Sequence, residues 1–272
     1  MTRGERVAVE PVVAEPAAVA ETRSERALLV ADIHVGIESG LRYERGVELD
    51  SRADERREHL CRLIDETDAD RLVVLGDLAH RIGAPEGDER TELETLVRAI
   101  TDRVPVTLVE GNHDAGVAET FADAIETIGP TGGLVAAPDT DDEADASRRG
   151  RIGVLHGHTW PAPDLLAADV VCMGHEHPQV RLEDAVGGSR TERAWLRGEI
   201  DPGAFVETYD ESAGPIEDPP ELIVFPAFNE RSGGTWVNVD GQSFLAPFLP
   251  DALPAGDAYL LDGTRLGDYR RV

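Results

Sequence analysis

Five apolar runs in this chain each end in side chains of the kinds that bind metals. Residues 27–31 lead into Asp32-Ile33-His34, residues 71–75 into Gly76-Asp77, and residues 104–109, after Glu110, into Gly111-Asn112-His113-Asp114. Residues 151–155 lead into His156-Gly157-His158, and residues 169–173 into Gly174-His175-Glu176-His177. A dinuclear site needs a bridging carboxylate, donors on both sides and an open position for substrate. Asp32, His34, Asp77, Asn112, His156, His175 and His177 supply such a mixed set. Carboxylate and imidazole donors suit Mn, Fe or Zn, and a shell without cysteine disfavours a structural zinc site. Two cations about 3.5–4 Å apart can clamp a phosphate and generate a hydroxide nucleophile. A lone Asp or His at a strand end is ordinarily a cap or a solvated loop residue; five in order point to function. His158 stays open between the site and a local hydrogen bond, and His156 is the preferred donor of that pair.

The elements that must position these residues change character along the chain. Residues 1–26 hold two strand-like pieces, 7–9 and 17–20, expected as an edge strand or an arm. Strands at 27–33, 71–75 and 104–109 alternate with helical periodicity over 51–67, 89–101 and 117–127. That is a sheet covered by helices. Residues 36–46, with Arg42, Tyr43 and Arg45, read as a loop. Beyond residue 127 strands dominate, at 134–137, 151–155, 169–173, 178–182, 221–225, 233–238 and 259–261. Residues 139–150 read as a solvated acidic loop, and 183–220 as an inserted hairpin or irregular excursion. Helices early and strands late predict a mixed α+β chain. Its architecture would be a four-layer αββα sandwich, two packed sheets with helices outside, in one domain over 1–272.

Composition narrows the setting. The 272 residues carry 54 acidic side chains against 26 basic ones, all arginine, for a formal charge of −28. Such a charge self-repels in dilute salt, whereas near 1 M salt the Debye length is only about 3 Å. The composition resembles that of cytosolic proteins from extreme halophiles. In such a medium long-range steering is weak, so net acidity does not argue against a nucleic-acid substrate. Two cysteines are too few for a disulfide framework. No apolar run approaches the ~20 residues of a membrane span, and the N-terminus lacks a signal-peptide core. A cytoplasmic protein with no membrane partner is expected.

The ordered motifs Asp32-x-His34, Gly76-Asp77, Gly111-Asn112-His113-Asp114, His156-Gly157-His158 and Gly174-His175-x-His177 resemble the calcineurin-like metallophosphoesterase superfamily. Phe225-Pro226-Ala227-Phe228-Asn229 and the stretch 233–238 further resemble a prokaryotic branch related to the SbcD nucleases. That branch includes phosphoesterases associated with DNA ligase or helicase genes. The resemblance implies that Asp32, His34 and His177 bind one divalent transition metal, manganese first and iron or zinc next. Asn112, His156 and His175 would bind a second, with Asp77 bridging. It implies that His113 contacts the phosphate and protonates the leaving oxygen, that Asp114 orients the His113 imidazole, and that a metal-bridging hydroxide attacks in line. Gly76-Asp77-Leu78-Ala79-His80 matches the nuclease pattern in which a histidine sits beside the scissile phosphate; alternatively His80 orients a ligand from behind. The function implied is phosphodiester hydrolysis, as a nuclease linked to DNA repair acting on single-stranded or damaged nucleic acid, beside a DNA ligase or helicase. A small-molecule phosphomonoesterase, a pyrophosphohydrolase, a cyclic-nucleotide phosphodiesterase and an inactive scaffold of the same fold are the alternatives.

Overall fold

The computed structural model describes residues 9–21, 25–136, 151–184, 186–209, 216 and 218–272. The strand-like piece at 7–9 is described only at Val9, the acidic loop at 139–150 lies outside the described residues, and so does part of 183–220.

Six strands form a first sheet, in the order β1 (Val9–Pro11), β2 (Ala17–Glu21), β3 (Arg26–Val30), β4 (Arg71–Val74), β5 (Val106–Val109) and β6 (Glu126–Ile128). β3 to β6 are parallel. The connections carry α1 (Ile37–Arg45), α2 (Ala53–Glu66), α3 (Gly87–Thr101) and α4 (Ala115–Thr120). The pleat sends alternate side chains to opposite faces. Leu28, Val30, Leu72, Val74 and Leu108 meet Leu60, Leu63 and Ile64 of α2 and Leu93, Leu96, Val97 and Ile100 of α3. Ala27, Leu29, Ala31, Val73, Leu75 and Val109 face the other way, onto a second sheet.

The second sheet runs β14 (Arg265–Asp268), β13 (Asp257–Leu260), β11 (Ser189–Glu199), β12 (Glu221–Val224), β9 (Val170–Met173), β8 (Ile152–Leu155) and β7 (Gly133–Ala136), with β10 (Gln179–Glu183) paired to β11. Its inner face offers Ile152, Val154, Cys172, Trp195, Ile223 and Phe225 to the first sheet. Its outer face packs Val171, Met173, Leu196 and Leu222 against Leu165, Phe205, Phe248 and Leu253. The chain is therefore a mixed α/β sandwich of two sheets. The cover of the second sheet is two 3-10 turns, Pro163–Ala167 and Pro202–Phe205, with irregular chain. Among the described residues no helix is long and apolar enough to cross a membrane.

Four expectations need correction. Residues 36–46 form α1 between two left-handed glycines, Gly36 and Gly46. The apolar spacing read as one helix over 117–127 comes from α4, a turn and the start of β6, whose pairing with β5 overrides helical propensity. Within 183–220, expected as a hairpin or an irregular excursion, residues 189–199 are regular. They form β11, which pairs with β10, β12 and β13. Only its Ala194, Trp195 and Leu196 are deeply buried, so its apolar signal was short. Residues 233–238 make one bridge, Trp236 to Gln179, and no strand.

Candidate metal centre

β3, β4 and β5 are parallel within the first sheet, and β8, β9 and β12 within the second. The carboxyl ends of such strands are where open α/β sheets bind ligands. Each motif follows one of these ends. The backbone bends sharply there: Asp32, His34, Asp77, His175 and His177 all have positive φ, between 43° and 68°. Non-glycine residues in that region cost of order 1–3 kcal/mol each and persist only where their surroundings hold them. Here Asp32 N donates to the Gly76 carbonyl at 3.1 Å, His34 N to the Asp77 carbonyl at 2.9 Å, and His175 N to Asp32 Oδ2 at 3.0 Å. Glycine is required at position 111, where a Cβ would lie 2.2 Å from Asp77 Oδ1.

Three groups of donor atoms converge, each within 4.8 Å: Asp32, His34 and His177; Asp77, His156 and His175; and His34, Asp77 and His113. Asn112 Oδ1 lies 3.2 Å from His156 Nε2. Asp77 reaches both sides, with Oδ2 3.8 Å from His34 Nε2 and Oδ1 3.5 Å from His156 Nε2. The hydrogen bonds behind the rings fix what faces inward. His156 Nδ1 donates to the Leu75 carbonyl at 2.9 Å, and His177 Nδ1 to the Gly233 carbonyl at 2.7 Å. In the neutral rings Nε2 is then a lone pair. These lone pairs meet other acceptors: His156 Nε2 meets the Asn112 oxygen, and His177 Nε2 meets Asp32 Oδ1 at 3.2 Å. Acceptor facing acceptor is the arrangement a cation between them satisfies, so this donor set fits divalent metals.

Electrostatics agree with that fit. Burial works against ionised Asp32 and Asp77, but the surrounding histidines hold both carboxyls below the usual range. Burial also opposes a charged His156, yet its hydrogen bond to Asp77 and the charges of Asp77 and Asp32 raise it to about 9. His34 and His175 are pushed down, to about 3 and about 4, chiefly by desolvation. Desolvation likewise opposes a charged His177, and the charge of Asp32 with its hydrogen bond raises it.

The flanking residues depart in part from what the resemblance implied. His113 sits at the rim with Nε2 3.8 Å from Asp77 Oδ2. Its Nδ1 donates to the His80 carbonyl. Asp114 does not orient that ring. Fully buried, it accepts backbone N–H groups from Gly111 and Leu78, both at 2.9 Å, and from Ala79. Burial and the charge of Asp77 raise its carboxyl to about 6. Its three backbone bonds tie the Asn112 loop to the Asp77 loop. The His80 ring stacks with His113 at 6.0 Å and meets His34 edge-on at 5.5 Å. His158 lies beyond His156, with ring centroids 5.3 Å apart.

Three buried residues that hold the site were not singled out from the sequence. Glu176, between two donor histidines, accepts from Leu245 N, Ala246 N and Thr235 Oγ1, and so clamps the C-terminal segment to the rim. Asn229 Nδ2 donates to the carbonyls of Ile33 and His34 at 3.0 and 3.3 Å. Glu89 accepts the backbone N–H groups of His80 and Arg81. The available signals were a charge inside Gly-His-x-His for Glu176 and the end of the Phe-Pro-Ala-Phe-Asn run for Asn229. For Glu89 there was none.

This fold, with carboxylate and imidazole donors gathered on one rim, has the form of a phosphoric ester hydrolase. The model of the calcineurin-like phosphoesterase family matches residues 25–199, and the chain belongs to that family. A crystal structure of the Pseudomonas putida nuclease MPE shares the fold at 18% identity, covering 95% of this chain and 100% of that one, with a TM-score of 0.51. The Escherichia coli phosphoesterase YfcE is more distant, at 16% identity over 89% of this chain and 97% of its own, with a TM-score of 0.39. No curated protein sequence matches.

Proposed function

We infer that this chain hydrolyses phosphodiester bonds in nucleic acid with the help of two divalent cations. The observation that carries the reading is the pair of donor groups on either side of Asp77, flanked by the stacked rings of His113 and His80. Asp32, His34 and His177 would hold one cation, and Asn112, His156 and His175 the other, with Asp77 shared. When bound, the cations supply Lewis acidity toward phosphoryl oxygens and activate water for attack. Manganese is our assignment, and iron or zinc suits the same donors.

The protein's own groups do the rest. The His80 carbonyl fixes the His113 ring, so that a proton on Nε2 is directed at the leaving ester oxygen. The His80 ring, beside His113 and His34, orients the second ester group that a diester carries, an effect on rate through positioning. Polymer cleavage is supported by the Gly76-Asp77-Leu78-Ala79-His80 pattern and by the fold shared with a nuclease. The SbcD-like branch, with a ligase or helicase partner, belongs to the same reading. So does work in concentrated salt, which rests on the −28 charge without lysine.

The test is a Mn²⁺-supplemented panel in molar KCl comparing single- and double-stranded DNA, RNA, cyclic nucleotides, and aryl diesters and monoesters. Diesters and single strands should turn over fastest. His80→Ala should slow them more than monoesters, with metal content unchanged. Hydrolysis of monoesters alone, at full metal loading, would sink the nuclease reading and leave the family assignment standing.

A further inference from the structure

Next to the loop that carries Asp32 and His34, α2 and the segment after β12 enclose a cavity of about 210 Å³. Its lining holds four arginines, Arg52, Arg56, Arg193 and Arg231, against two carboxylates, Glu55 and Glu230. That is a concentration of positive charge in a chain with 54 acids and 26 arginines.

The local carboxylates leave guanidinium donors unused. Arg52 pairs with Glu230 and, at 3.5 Å, with Glu55. Arg56 and Arg231 share one oxygen of the buried Glu38, Oε1, at 2.8 and 3.0 Å, and Arg231 Nη1 also donates to the Asp50 carbonyl at 2.9 Å. Arg193 Nη1 donates to neutral acceptors, the carbonyls of Ala227 and Phe228. The Arg56 side chain is only 7% exposed, and its Nη1 has no acceptor among the described residues. A buried charged donor without an acceptor is costly, and an anion removes that cost. Arg52 and Arg56 also stand at the N-terminal end of α2, where the helix dipole favours negative charge.

The cavity is coupled to the metal-binding loop through one residue. Asn229 lines it, takes Arg231 N on Oδ1 at 3.0 Å, and reaches the His34 carbonyl through Nδ2. The volume is several times the ~30 Å³ of a water molecule, enough for a phosphate group. Arginine forks match phosphate oxygens in geometry as well as charge.

We propose that this arginine cavity is a second anion site, which takes a phosphate group other than the one being hydrolysed. Two sources share that chemistry: a phosphate of a polynucleotide flanking the cleaved linkage, and free phosphate. Only the first rests on the nuclease reading above.

The experiment titrates inorganic phosphate into the full chain after chelation, at constant KCl, and follows the arginine Nε–Hε resonances. Chelation leaves phosphate no cation to bind. Saturable shifts at Arg56, Arg193 and Arg231 are expected. Arg56→Gln should weaken binding about tenfold or more, as for loss of a charge-assisted bond. Arg52→Ala, whose side chain is 45% exposed, carries less folding risk and should also weaken it. Resonances that ignore phosphate, or respond to it only as they do to chloride, overturn the proposal. A single-stranded oligonucleotide then separates the sources. If it displaces phosphate, and Arg52→Ala raises its KM more than that of an aryl diester, the site grips the polymer. If it does not displace phosphate, the bound species is the free anion. Turnover of the aryl diester tests the hydrolytic reading independently, since binding at the arginines is read without any reaction.

Discussion

Asp77 and His113 touch each other yet should fail differently when changed. Asp77 stands between the two donor groups, and its Oδ1 also receives His113 N at 3.1 Å. Asp77→Asn keeps the shape but removes the charge common to both sides. Elemental analysis should find near two equivalents of Mn in the parent and depletion of both in the variant. Full occupancy with full activity would show that Asp77 bridges nothing. His113→Ala should instead retain metal and lose rate, by the ~10²–10⁴-fold typical of general acid assistance. The loss should shrink for nitrophenyl esters, whose leaving groups need little protonation; equal losses on alkyl esters would assign His113 to positioning. Much at this scale was legible in the sequence, because donors of the right types stand at strand ends and come together on one rim. The role of Asp114 was not. Its partners Leu78 and Ala79 lie 36 and 35 residues away in the chain, and no local pattern announces a carboxylate that accepts distant backbone N–H groups.

At the level of elements, strands and long helices were readable from their periods, and α1 was not. It has nine residues, Ile37–Arg45, with a glycine at its centre, and helices that short are marginal without tertiary support. The support is visible at Gly40, where a Cβ would fall 2.4 Å from His80 Cδ2. β11 escaped for a related reason: most of its first half is exposed, so alternation had little apolar contrast to work with. The packing of α1 on His80 makes a sharp prediction. In an isolated helix Gly→Ala stabilises by about 1 kcal/mol. Here the added methyl must push the His80 ring away from its place beside His113. Gly40→Ala should therefore leave thermal stability roughly unchanged, retain metal, and slow diester cleavage more than monoester cleavage. Unchanged diester turnover would mean that the position of His80 against α1 does not matter to the reaction.

For the whole molecule, charge is the quantity that decides behaviour. With 54 acidic groups against 26 arginines, even complete pairing leaves 28 carboxylates without a basic side chain. Many pairs that do form are exposed, such as Arg90 with Glu94 and Arg62 with Glu66. Such pairs contribute roughly 0–1 kcal/mol each and weaken with salt. Repulsion among the excess carboxylates is spread over the surface and acts at longer range. It is only partly screened when the Debye length is about 10 Å at 0.1 M and largely removed when that length is about 3 Å at 1 M. Raising salt therefore removes more repulsion than attraction. The thermal midpoint of the metal-loaded protein should rise from dilute to molar KCl. Mn²⁺ must be held fixed, because divalent cations at the rim stabilise on their own account. A non-ionic osmolyte such as sucrose, which favours burial without screening charge, serves as the control and should give a smaller rise. A midpoint that stays flat or falls as KCl is added would show that the acidic surface is not what sets stability, and would remove the basis for placing this protein in concentrated salt.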